Sequence, residues 1–162
     1  MGVKLESVAV CQGLSAAERG PLEQIAVESK VKQGDRLFDE GQVGDGLYVV
    51  MFGAVQITKK NQVLATLESG AAVGEMSLIV EGERRSASAV ALTDVSLITL
   101  PAAAFRGLLA KNDPGALKVV LNLARVMSRR LAAINDKLVD SLGQKKKEEL
   151  ADFGKILNEW NF

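Results

Sequence analysis

Histidine is absent from the 162 residues. Without an imidazole, general acid–base catalysis at neutral pH, the serine and cysteine triads, axial histidine ligation of haem and most zinc sites all lose their usual residue. Only one cysteine is present, Cys11, so no internal disulfide can form. A single thiol with no histidine to activate it reads as an inert residue. Net charge is absent as well, because 20 basic side chains balance 20 acidic ones. That balance argues against non-specific nucleic-acid binding, which needs surplus cations to neutralise phosphates. The asymmetry along the chain is mild: residues 1–110 carry 10 basic and 13 acidic groups, residues 111–162 carry 10 and 7. No apolar run approaches the roughly 18 residues that a membrane-spanning helix requires. Glu6 falls inside what would be the apolar core of a signal peptide, and position 6 lacks the Ser or Thr of a myristoylation signal. A cytoplasmic location with no membrane contact is expected.

What is present fits one globular domain with an appended helix or two: 48% of residues are hydrophobic and 25% charged. Ser15 followed by Glu18 forms a capping box, and Leu22, Ile25 and Ala26 then share a face, which predicts a short helix around 14–27 interrupted near Gly20-Pro21. From Val27 to about Leu100 the pattern changes to short β-type runs at 36–38, 47–51, 54–58, 63–67, 86–92 and 95–100. Eight of the 15 glycines lie between Gly34 and Gly82, where they supply positive-φ turns between closely spaced strands. Such spacing suits a mainly β chain, an antiparallel barrel or jelly roll of seven or eight strands, better than alternating β and α units.

A helical region follows. Asn112 or Asp113 can cap it and Pro114 suits its first turn. Apolar residues then recur at Leu117, Val120, Ala124, Met127, Leu131, Ile134, Leu138 and Leu142, a seam of about 3.5 residues per repeat. The seam either packs on the chain's own barrel or pairs two copies. A stripe this narrow suits a helix pair, so self-association is expected. Gly143 and Lys145-Lys146-Lys147 weaken or end the helix, and Leu150, Phe153, Leu157 and Trp160 recur at helical spacing in a short tail, 143–162. The tail folds back on the domain or docks on another protein. The expected division is therefore 1–142 for the domain with its long helix, and 143–162 for the tail.

The chemistry concentrates between Val73 and Ala89. Gly74 and Glu75 precede Met76 to Val80, an apolar run long enough for one or two helical turns. A glycine entering such a turn lets a ligand approach the main chain, and the first free N–H groups suit an anion. An arginine about ten residues on can close over the same anion with two parallel charge-assisted hydrogen bonds. Glu75 would repel an anion, yet it can accept hydrogen bonds if the ligand also carries hydroxyls, as a ribose does. A plainer reading makes Glu75 a helix-start residue and Arg84-Arg85 a solvated turn.

Gly74-Glu75-Met76-Ser77-Leu78 followed by Arg85-Ser86-Ala87 resembles the phosphate-binding cassette of cyclic nucleotide-binding domains, especially the bacterial catabolite activator branch, in which the arginine follows the glycine by eleven positions. Gly34-Asp35, Glu40-Gly41, Asp45-Gly46-Leu47-Tyr48-Val49-Val50 and Gly53-Ala54-Val55 resemble the same family's barrel signature, and the likeness runs from about Leu14 to Leu142. The resemblance implies an eight-stranded antiparallel jelly-roll barrel with flanking helices and a long C-terminal helix, holding a cyclic mononucleotide. By position, Glu75 would accept the ribose 2′-hydroxyl and Arg85 would pair with the cyclic phosphate. Gly74, Ser86 and the amide of Ala87 would line the pocket, with backbone groups from Met76 and Ser77. Arg84 competes for the arginine role, since other branches place that residue ten positions after the glycine; Ser86-Ala87 favour Arg85.

The family's long helix normally dimerises and caps the base. Where the activator branch has Thr-Ser this chain has Ile134-Asn135, of which Asn135 alone can hydrogen-bond a base edge. Cyclic AMP is expected over cyclic GMP on family frequency alone. Family transcription factors continue into a helix-turn-helix domain, whereas only about 20 residues follow the helix here, so DNA binding is not expected. The expectation is a non-catalytic sensor without a cofactor, a homodimer through 117–142, that relays occupancy to a protein partner. The alternative is a barrel of the same fold that binds no nucleotide and acts as a constitutive dimeric scaffold.

Overall fold

In a computed structural model that describes residues 3–142, the chain runs through a 3₁₀ turn at Ala9–Cys11, helix α1 (Ala16–Ile25) and eight strands. The strands are β1 (Val27–Val31), β2 (Arg36–Phe38), β3 (Gly46–Phe52), β4 (Val55–Lys59), β5 (Gln62–Leu67), β6 (Ala72–Val73), β7 (Ser88–Ala91) and β8 (Val95–Pro101). The short helix α2 (Met76–Ile79) sits between β6 and β7, and α3 (Ala102–Ala110) and α4 (Pro114–Leu142) follow β8. The described residues divide into two compact units between Leu123 and Ala124, a boundary that α4 crosses. The tail 143–162, with its expected helical spacing, lies outside the described residues.

Every strand pairing is antiparallel, in two four-stranded sheets ordered β1-β8-β3-β6 and β2-β7-β4-β5. This is the eight-stranded jelly roll that the family resemblance implied, one of the alternatives that the glycine spacing left open. Strands β3 and β8 read as nearly continuous apolar runs because they are buried on both faces. Their register sets Leu47 against Leu100 and Val49 against Ile98 on one face, and Val50 against Leu97 on the other. The first set joins Leu5, Leu22, Phe105, Ala116, Val119 and Leu123 in a core under the helices. The second joins Phe38, Val55, Ile57, Ala87, Ala89 and Ala91 between the sheets.

Helix α1 is continuous through Pro21, contrary to the expected interruption. The Ser15–Glu18 capping box forms reciprocally, and Leu22, wholly buried, holds the helix against the core across the proline. Strand β1 escapes sequence reading because Val27-Glu28-Ser29-Lys30-Val31 is mostly exposed at a sheet edge and carries no alternation. Helix α3 is absent from the sequence reading because no side chain caps its start at Pro101. At the start of α4 it is Asp113, rather than Asn112, whose Oδ1 accepts from the Ala116 amide at 2.9 Å.

The seam expected along α4 divides. In its first two turns Ala116, Val119 and Leu123 are buried with the core, one position away from the predicted Leu117, which is 48% exposed. Further on, the seam residues Leu131 and Ile134 are exposed and Leu138 and Leu142 half-buried, and Val139, outside the seam, is exposed as well.

Candidate functional site

Backbone pairing between the loop after β2 and the segment before β7 determines where each arginine points. Gly41 N donates to Arg85 O at 2.8 Å, Arg85 N to Gln42 O at 2.7 Å and Gly44 N to Glu83 O at 2.8 Å. Neighbouring side chains of an extended segment project to opposite sides. Arg84 therefore faces out, where its Nη1 donates to Gly41 O, while Arg85 turns inward and is 6% exposed.

The inward guanidinium is packed and hydrogen-bonded at once. Its centre lies 4.3 Å from the Phe38 ring centroid and 5.2 Å from that of Tyr48, close enough for cation–π attraction to both. Nη2 donates to Asp45 Oδ1 at 2.9 Å and to Gly46 O at 2.8 Å. The Tyr48 hydroxyl donates to Asp45, 2.9 Å from each carboxylate oxygen. Arg85 Nε, by contrast, is buried with no acceptor, in a charged group where an unmade hydrogen bond is costly.

Gly74 lies directly beneath this guanidinium. Its φ is +89°, a left-handed value, and a Cβ there would clash with Arg85 Nη1 and stand 2.8 Å from Gly46 O. Gly74 O accepts from Ser77 Oγ at 2.6 Å and from the Ser77 amide at 3.2 Å, which binds the glycine to the first turn of α2. Glu75, half-buried, is the N-cap residue of α2. Arg106 of α3 donates through Nη1 to Ser77 O at 2.8 Å.

Among the residues expected in the site, Gly74, Ser77 and Arg85 are thus brought together by contacts. Met76 opens α2 with 38% exposure, Ser86 is exposed, and Ala87 is buried in the core between the sheets. Asn135 lies half-buried on α4 in the second unit. Sequence reading missed Asp45, Phe38, Tyr48 and Arg106. A usable signal in residue type existed for Asp45 and Tyr48: an arginine turned into a barrel needs a counter-charge and a flat face to pack on, and Asp45-Gly46-Leu47-Tyr48 offers both within four residues.

Burial, with the Asp45 carboxylate as the next cause, pushes the Tyr48 hydroxyl from 10.0 up to about 12. Burial likewise pushes the Cys11 thiol from 9.0 up to about 11. Both groups keep their protons in the folded chain after the unfolded chain has lost them. The folded state then binds more protons, so stability falls as pH rises from about 9 through 12. Thermal midpoints should decline over that window, with Cys11→Ala and Tyr48→Phe each removing part of the decline. Variants that decline as steeply as the wild type would contradict this account.

A jelly roll with a one-turn helix and an inward arginine between β6 and β7 defines a cyclic nucleotide-binding domain. The profile of that family matches residues 28–112, and the chain belongs to it. The cyclic AMP receptor protein of Thermus thermophilus is 38% identical over 104 residues, covering 61% of this chain and 46% of the relative. A cAMP-dependent protein kinase regulatory subunit from Yarrowia lipolytica is 32% identical over 119 residues, 68% of this chain and 32% of that one. The crystal structure of the Thermus thermophilus catabolite activator protein matches with a TM-score of 0.70 at 31% identity, covering 83% of this chain and 63% of the other. The chain spans less than half the length of these two curated relatives.

Proposed function

We propose that the chain is a non-catalytic cyclic nucleotide sensor whose ligand is cyclic AMP. The observation that carries this reading is the guanidinium of Arg85, held inward over Gly74 with Nε buried and unused. An anion reaching Nε and the neighbouring Nη2, the two donors on one edge of the guanidinium, would form a bidentate pair in competition with a present acceptor of Nη2. Arg85 then holds the cyclic phosphate beside Gly74, Ser86 and the Ala87 amide, Glu75 accepts the ribose 2′-hydroxyl, and Met76 and Ser77 contribute backbone groups. The similarity to a cyclic AMP receptor protein and to a cAMP-dependent protein kinase regulatory subunit supports the choice of nucleotide. The absence of histidine supports a binding role over a catalytic one.

The exposed apolar residues of α4 support a homodimer through residues 117–142, and the same helix relays occupancy to a protein partner. Such relay is differential binding between two arrangements of the chain, a coupling worth about 1–3 kcal/mol. Met127→Asp with Leu131→Asp is expected to halve the mass seen by sedimentation; an identical mass for wild type and variant would remove the helix pair.

A second reading, a barrel that binds no nucleotide and serves as a constitutive scaffold, has one observation in its favour. Arg85 already has a carboxylate of its own chain, Asp45, at 2.9 Å. Titration calorimetry with cyclic AMP and cyclic GMP decides between them. Saturable heat with either nucleotide supports the sensor, and neither heat nor thermal shift at millimolar nucleotide supports the scaffold.

A further inference from the structure

Strand β1 ends its sheet: among the described residues it pairs with β8 on one side and with no strand on the other. Apart from that ladder, none of residues 27–31 has a backbone hydrogen bond among the described residues. An unpaired edge is a template for another strand, and chains normally protect it with a proline, a bulge or a cover. Here there is no proline, the register with β8 runs unbroken through all five residues, and residues 27–30 are exposed.

The order of side chains along this edge is its most specific feature. Read from either end, Val27-Glu28-Ser29-Lys30-Val31 carries valine, a charge, serine, the opposite charge and valine. An antiparallel copy centred on Ser29 sets Glu28 opposite the partner's Lys30, Lys30 opposite the partner's Glu28 and valine opposite valine. Glu28 and Lys30 share one face of the strand, and neither forms an ion pair among the described residues. Opposite charges directly across a strand pair stabilise it, and like charges oppose it. Beside Glu28 and Lys30 a groove of about 640 Å³ crosses β1, β8 and β3, lined in part by Lys4, Glu28, Ser29, Lys30, Met51 and Ser96.

We infer that β1 is a self-complementary edge that pairs with β1 of a second copy of this chain, joining two four-stranded sheets into one of eight strands. The contact is isologous, with each copy presenting the same five residues to the other. It differs from the pairing along α4. Two different isologous contacts on one chain build either a closed tetramer or an open array.

The test is run on the full chain carrying Met127→Asp and Leu131→Asp, so that sedimentation reads the strand contact without the helix pair. In this background the mass should rise from monomer toward dimer with concentration, and more so at low salt. Glu28→Lys alone, or Lys30→Glu alone, sets like charges opposite each other twice and should weaken association by at least about tenfold. An equimolar mixture of the two single variants should regain it, because every cross-strand pair is then of opposite sign. Both positions are exposed, and unchanged thermal unfolding of each variant will show that the fold is intact. Single variants that associate like the unreversed chain, or a mixture that stays monomeric, would overturn the inference.

Discussion

Arg85→Ala is expected to weaken cyclic AMP binding at least about a hundredfold in titration calorimetry while shifting stability little. Two charge-assisted hydrogen bonds to one phosphate are worth roughly 3–4 kcal/mol, which is a factor of several hundred in affinity. The fold should tolerate the loss for a reason specific to this site. The carboxylate left behind, Asp45, is 64% exposed and can be rehydrated, whereas the arginine removed was 6% exposed with a buried N–H unpaired. The lost packing on Phe38 and Tyr48 and the relieved burial of charge act in opposite directions. Arg85→Lys retains the charge without the fork and should fall between the two, about tenfold weaker than wild type. Wild-type affinity in Arg85→Ala would mean that the phosphate is held elsewhere.

Gly74→Ala is the second large effect, and it acts on both stability and binding. A left-handed φ of +89° costs a residue with a Cβ about 1–2 kcal/mol. The added methyl would also meet Arg85 Nη1 and the main-chain oxygen of Gly46. The guanidinium can move, but only by giving up Asp45 and Gly46 O, and the carbonyl belongs to β3, which is fixed by pairing on both sides. A total of about 2–3 kcal/mol is expected, seen as a fall of roughly 10 °C in the thermal midpoint. Nucleotide affinity should fall with it, since the displaced guanidinium is the proposed phosphate ligand. A midpoint within about 2 °C of wild type would show that the turn at Gly74 relaxes freely, contrary to the geometry.

What could be read from the sequence follows from burial. Strands β3 and β8 announced themselves because both faces are apolar, and α1 because its capping box forms as written. Strand β1 and helix α3 did not, the first being an exposed polar edge and the second starting without a capping side chain. Gly74, Ser77 and Arg85 form a local motif within twelve positions and were accessible to inspection. Asp45 and Phe38 approach Arg85 only through the pairing of β2 with β7 and of the following loop with residues 83–85, which spacing along the chain does not express. The seam along α4 was legible as a period, but not as two functions. Its start is displaced by one position because Gly115 lets the helix approach the Glu18 carbonyl and turns Ala116, Val119 and Leu123 toward the core.

Helix α2 has four residues, too few to persist through its own ladder of hydrogen bonds. Its shape is borrowed. Leu78 anchors it from below, and Arg106 fastens the carbonyl of Ser77 from 29 positions away. The amides at the mouth of that turn are thus aimed by a side chain that no cassette motif contains. A descendant of this chain could retain every letter from Gly74 to Ala87 and still lose the proposed phosphate site through one change in α3.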